Sequence, residues 1–158
     1  MSQKLVPLIS PGAAVPSTGT PDRATAMRAE HSRVLCLCEI GNFATLRRHL
    51  GRPRADALAQ DVANRIASLC PNARIVAAGR NLIEIAFDYG APGVAALDID
   101  QLRDAFAAMI EIDGERYPLQ MHFGAAASPA CDCDEVRIAE AAESALDQAR
   151  EEGRVVIL

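Results

Sequence analysis

The chain has 158 residues, half of them hydrophobic but only 4% aromatic and none tryptophan, and 16 Lys and Arg against 21 Asp and Glu give a formal net charge of −5. That length suits one domain with one core, and the apolar content beside 23% charged residues excludes global disorder. The negative balance argues against a nucleic-acid partner, which calls for a basic stripe, and against an anionic membrane surface.

The first residues, Met1 to Pro7, carry one Lys, and Pro7 and Pro11 interrupt the short apolar stretch, so no secretory h-region is expected. No apolar run approaches the roughly 20 residues of a membrane-spanning helix. Five cysteines, an odd number, then suggest free and mostly buried thiols in a reducing cytoplasm.

Residues 1–20 hold Pro7, Pro11, Pro16, Gly12 and Gly19 among Ser and Thr, the composition of a flexible N-terminal segment ahead of a domain over 21–158. Thr20-Pro21 reads as an N-cap followed by a first-turn proline, with a short helix to about Glu30. Val34-Leu35-Cys36-Leu37-Cys38 is a strand buried on both faces in mid-sheet. Phe43–Leu50 forms a short helix ended near Gly51, and a longer one runs from about Pro53 to Leu69 with Leu58, Val62, Ile66 and Leu69 in one stripe.

Arg74–Ala78 and Leu82–Phe87 make a hairpin around Gly79-Arg80-Asn81, with Ile83, Ile85 and Phe87 on one face. Leu102, Phe106, Met109 and Ile110 recur at helical spacing, with Asp98 or Asp100 as N-cap. Asp113-Gly114 marks a turn before a strand in which Tyr117, Leu119, Met121 and Phe123 share a face. A last helix carries Ile138, Ala142, Leu146 and Ala149, Gly153 ends it, and Arg154–Leu158 is a closing strand. Hairpins mixed with helix-separated strands imply an α+β sandwich: a mixed, largely antiparallel sheet of about five strands covered by helices.

Several stretches in this order resemble the GGDEF domain, the diguanylate cyclase fold of bacterial cyclic-di-GMP signalling. Ser17-Thr18-Gly19-Thr20-Pro21-Asp22-Arg23 is similar to the family's L-T-G-L-P-N-R opening, and Cys38-Glu39-Ile40-Gly41-Asn42-Phe43 to its L-D-I-D-x-F strand end. Ala55-Asp56-Ala57-Leu58-Ala59 with Val62-Ala63 looks like G-D-x-x-L-x-x-V-A, and Phe123-Gly124 stands where the family has S-I-G. Ala145-Leu146, Ala149-Arg150 and Gly153-Arg154 match A-L-x-x-A-K-x-x-G-R, so the resemblance spans about Ser17 to Leu158.

The resemblance also implies where chemistry is missing. The family's Gly-Gly-Asp/Glu-Glu-Phe turn approaches GTP phosphates with its glycines and holds magnesium with its acid. By spacing that hairpin here reads Arg80-Asn81-Leu82-Ile83-Glu84, with Leu82 at the metal-binding carboxylate. A shifted register would make Gly79 and Glu84 remnants, but one residue of slip turns every side chain to the opposite face. Glu39 replaces the first-strand aspartate and Gly41 the second, whereas magnesium-assisted phosphoryl chemistry needs two or more converging carboxylates. Arg47-Arg48 resembles the guanine-reading pair yet offers donors where acceptors are needed. Pro71-Asn72-Ala73-Arg74 falls on the product-inhibition motif R-x-x-D without its charges.

The expectation is therefore a catalytically inactive GGDEF-like regulatory or interaction domain without a cofactor. Its partner would be a protein or adjacent signalling domain such as an EAL-type phosphodiesterase, or a second copy in a homodimer. No nucleic acid and no membrane insertion is expected. The rival is a residual GTP sensor or weak cyclase using Glu39 and the cluster Arg47, Arg48, Arg52 and Arg54; those arginines better suit a solvated helix end. A third reading puts a metal or redox site on Cys131 and Cys133, whose C-x-C spacing is not a usual zinc form. Cys36 and Cys38 read as small core hydrophobes, and His31, His49 and His122 stand beside no evident nucleophile.

Overall fold

The computed structural model describes residues 32–88, 92–129 and 134–158. The proline-rich start, the helix expected over 21–30, the Ser17–Arg23 stretch, His31 and the Cys131–Cys133 pair lie outside those residues.

The apolar run of the first strand becomes β1 (Ser32–Ile40), followed by α1 (Phe43–Leu50), α2 (Arg52–Leu69), β2 (Ala73–Ala77) and β3 (Leu82–Asp88). Next come α3 (Pro92–Ala105), β4 (Ile110–Ile112), β5 (Glu115–Tyr117), β6 (Met121–Pro129), α4 (Glu135–Glu152) and β7 (Val156–Ile157). Five strands form one sheet in the order β2-β3-β1-β6-β7, and β4-β5 is a separate hairpin. All pairings in the main sheet are antiparallel except β6 with β7. This is the mixed, largely antiparallel α+β sandwich that the pattern implied.

β1 lies at the centre, which explains its continuous apolar run: each face meets a helix layer. Val34, Cys36, Cys38 and Ile40 join Ile83, Ile85 and Phe87 of β3 in a core shared with α1, α2 and α3. Leu37 and Ala126 face the other way, onto Ile138, Ala142 and Leu146 of α4. Ile83 faces the main core, while Glu84, the next residue along β3, lies on the opposite side of the sheet with Leu35 and Ala86.

Three expectations are corrected. Helix α3 begins at Pro92, whose fixed φ suits a first helical position, so Asp98 and Asp100 lie inside it and neither caps it. It stops at Ala105 because the Phe106 N–H is shared between the Leu102 and Arg103 carbonyls and the Ala107 N–H reaches Asp104, a tightened last turn. Met109 is consequently exposed, and Ile110 opens β4. The strand expected through Tyr117–Phe123 is two pieces, broken at Pro118, which has no N–H for a ladder. Asn42 holds the break: its Nδ2 donates to the Pro118 carbonyl (2.7 Å) and its Oδ1 accepts from the Gln120 N–H (3.1 Å).

At the start of α4, Asp134 is a true N-cap, its Oδ1 accepting from the Val136 (3.0 Å) and Arg137 (3.3 Å) amides. Asp134→Ala is expected to cost about 1 kcal/mol in a urea titration, and Asp134→Asn much less. At the other end Gly153 adopts the left-handed conformation that closes the helix, and its N–H reaches the Ala149 carbonyl. The closing strand pairs only over two residues, but the Leu158 N–H to Ala125 and the Ala127 N–H to Leu158 bonds prolong it.

Candidate functional site

The C-terminal end of β1 meets the β2–β3 turn and the last turns of α4, and most of the singled-out residues converge there. Glu39 is opposite Leu82 on one side and His122 on the other. Directly paired residues of antiparallel strands share a face, so Leu82, Glu39 and His122 form a row beneath α4. Leu82 packs with the apolar cluster under α4.

Glu39 is engaged by both neighbouring elements. Arg150 of α4 grips its carboxylate through two parallel bonds, Nε to Oε2 at 2.7 Å and Nη2 to Oε1 at 2.9 Å. Asn81 of the turn donates from Nδ2 to the same Oε1 and to the Ile40 carbonyl, both at 3.4 Å. Arg150 also bonds Asp147 one turn earlier. The Glu39 hydrogen bond raises the guanidinium pKa above its ordinary value, so the charge persists at every accessible pH.

Gly41 follows one residue beyond the strand, its N–H bonded to the Gln120 carbonyl at 2.7 Å. A Cβ at this position would lie 2.5 Å from Nε2 and 2.6 Å from Cδ2 of His122. The imidazole therefore occupies the space that a carboxylate at position 41 would need.

Arg80 turns away from Glu39. It lines a cleft of about 190 Å³ on the opposite side of the turn, with Asp56 and Gln60 of α2, Gly79 and Ile83. Arg47 and Arg48 end α1, where cations complement the helix dipole. Neither guanidinium has a carboxylate within ion-pair distance among the described residues. Arg52 and Arg54 are drawn off instead by Asp56 (3.7 Å) and Asp113. Pro71 and Asn72 form the turn into β2, and Arg74 is exposed.

Glu39, Gly41, Asn81 and Leu82 thus come together, while Arg80 faces a different cleft. Sequence reasoning passed over Asp56, His122 and Arg150 as site residues. Two of them stood in quoted motif stretches, and that was the available signal.

The three described thiols have no part in the site. Cys36, Cys38 and Cys70 are buried. Burial pushes the first two far up, and Cys70 up to about 11 with Asp98 adding to the effect, so all three stay protonated at neutral pH. Among the described residues no three His, Cys, Asp or Glu side chains converge as metal ligands, and no helix is long and apolar enough to cross a membrane.

The model of the family described as diguanylate cyclase, GGDEF domain, matches residues 21–155. No curated protein sequence matches the chain at a significant level. Among solved structures, the active GGEEF domain of a diguanylate cyclase from Vibrio cholerae is 20% identical, with a TM-score of 0.73 over 85% of this chain and 86% of that one. An EAL/GGDEF domain protein from M. capsulatus is also 20% identical, with a TM-score of 0.71 over 90% and 97%. Diguanylate cyclase SiaD from Pseudomonas aeruginosa, solved with its activator SiaC, is 15% identical, with a TM-score of 0.71 over 87% of this chain and 52% of that one. These likenesses describe the fold, and the family match covers most of the sequence: the chain belongs to the GGDEF-domain family of diguanylate cyclases.

Proposed function

We propose that this domain is a catalytically inactive GGDEF-like module of bacterial cyclic-di-GMP signalling that acts by regulating a linked or partner domain, such as an EAL-type phosphodiesterase. The observation that carries the reading is the packing of His122 against Gly41. Magnesium-assisted phosphoryl transfer needs two or more carboxylates on the metal. Among the described residues the strand end offers Glu39 alone, between Leu82 and His122, and Arg150 already occupies both its oxygens. Magnesium does not fit this set of residues.

Both faces of the sheet carry packed apolar cores, while among the described residues no acids converge at the strand end. A fold maintained without its chemistry acts through its surface. The likeness to a protein that joins EAL and GGDEF domains, and to a cyclase bound by an activator, agrees with a role exerted on another domain or chain.

A second reading, a GTP sensor or weak cyclase using Glu39 and the Arg47/Arg48 cluster, has in its favour that neither Arg47 nor Arg48 meets a carboxylate within ion-pair distance among the described residues. Calorimetric titration of GTP with and without magnesium separates the two. The proposal expects no binding at micromolar concentrations and no cyclic-di-GMP. Micromolar binding without turnover would favour the sensor, and turnover would sink the proposal.

A further inference from the structure

We propose that Glu39, Asn81, Arg150 and Asp147 form an internal latch that couples the β2–β3 turn to the C-terminal turns of α4. The inference rests on side-chain geometry and holds whether or not the domain is a cyclase. Glu39 and Arg150 are 111 residues apart in sequence, and their two-pronged contact joins the central strand to the helix covering it. A planar guanidinium meeting both carboxylate oxygens is far more directional than a single charge contact. The Glu39 side chain is only 17% exposed, against 42% for Arg150, so the pair is less screened than an ordinary surface ion pair.

Two further contacts turn a pair into a linkage. Asp147 binds the same guanidinium from one helical turn away and so sets its direction. Asn81 binds the same carboxylate from the hairpin, and its own carbonyl accepts the Ile40 N–H at 2.9 Å. The turn is otherwise closed by two bonds to the Leu82 carbonyl, from Ala78 (3.0 Å) and Gly79 (3.1 Å). A carboxylate able to hold a cation and a guanidinium able to hold an anion are thereby consumed by each other. Anything that engages either group opens the fork, and opening it loosens the hairpin and the end of α4 together. The α4 end leads through Gly153 directly into β7.

Amide hydrogen exchange on the full chain tests the latch. Arg150→Ala is expected to speed exchange at Ile40, Ala78 and Gly79, all in or beside the hairpin, by roughly tenfold. Glu39→Gln is expected to speed the Gly153 amide, at the far end of the linkage, by a similar factor. The Ala55 and Cys70 amides, which close the two ends of α2 on the other side of the sheet, open without breaking the fork and should change less than twofold. Hairpin amides unmoved by Arg150→Ala, a Gly153 amide unmoved by Glu39→Gln, or equal acceleration at Ala55 and Cys70 would each overturn the coupling.

Discussion

Gly124→Ala is expected to be the most destabilising single methyl in the domain, costing about 3 kcal/mol and lowering Tm by about 10 °C. A Cβ at this position would lie 2.1 Å from the Leu146 backbone nitrogen, 2.4 Å from its Cα and 2.5 Å from the Ala145 carbonyl carbon. Those are backbone atoms in the middle of α4, so no rotamer change relieves the clash. The helix must lift as a body or β6 must sink. Lifting it separates Ile138, Ala142 and Leu146 from Leu37 and Ala126, the buried centre of the apolar contact on that face. It also draws Arg150 away from Glu39, so loss of the fork should accompany the loss of stability. Thermal unfolding of the variant measures the first effect. A Tm within 2 °C of the parent would mean that α4 does not rest on β6 at Gly124.

The same close approach shows why some of this fold is readable and some is not. Elements whose pattern is local were legible: the apolar run of β1, the α2 stripe through Leu58, Val62 and Ile66 (though Leu69, its expected fourth member, is exposed), the alternation of Ile83, Ile85 and Phe87, and the left-handed Gly153. The start of α3 misled because Asp98 and Asp100 look like caps, whereas Pro92 opens the helix and Asp100 pairs with Arg103 one turn on, at 3.1 Å. The break at Pro118 was stated by the proline itself. What holds it is Asn42, 76 residues upstream, and no window along the chain contains both.

The site divides in the same way. Glu39, Gly41 and the hairpin residues could be placed because the resemblance supplied positions for them. Their consequences could not be read, since each depends on a residue distant in sequence and adjacent in space: Arg150 on Glu39, His122 on Gly41, Asp56 beside Arg80. The arginine cluster looked like a unit in sequence. In space two of its members are spent on Asp56 and Asp113.

Gly41→Asp should lower stability by about 2 kcal/mol, and His122→Ser in the same chain should recover at least half of that loss. The backbone at position 41 cannot retreat, because its N–H is tied to the Gln120 carbonyl at 2.7 Å. The imidazole must move instead. The ring can swing toward solvent or into the cleft it lines with Arg103, Phe123 and Arg154, and either way its packing against Gly41 is lost. Here the obstacle is the tip of a side chain, unlike the helix backbone over Gly124, which is why the cost is smaller and why a second substitution can repair it. Denaturant titration of the two single variants and the double variant gives the coupling directly, expected at 1 kcal/mol or more. Additive losses would show that the ring does not fill the place of a second carboxylate, and the case for a dismantled metal site would then rest on Leu82 and Arg150 alone.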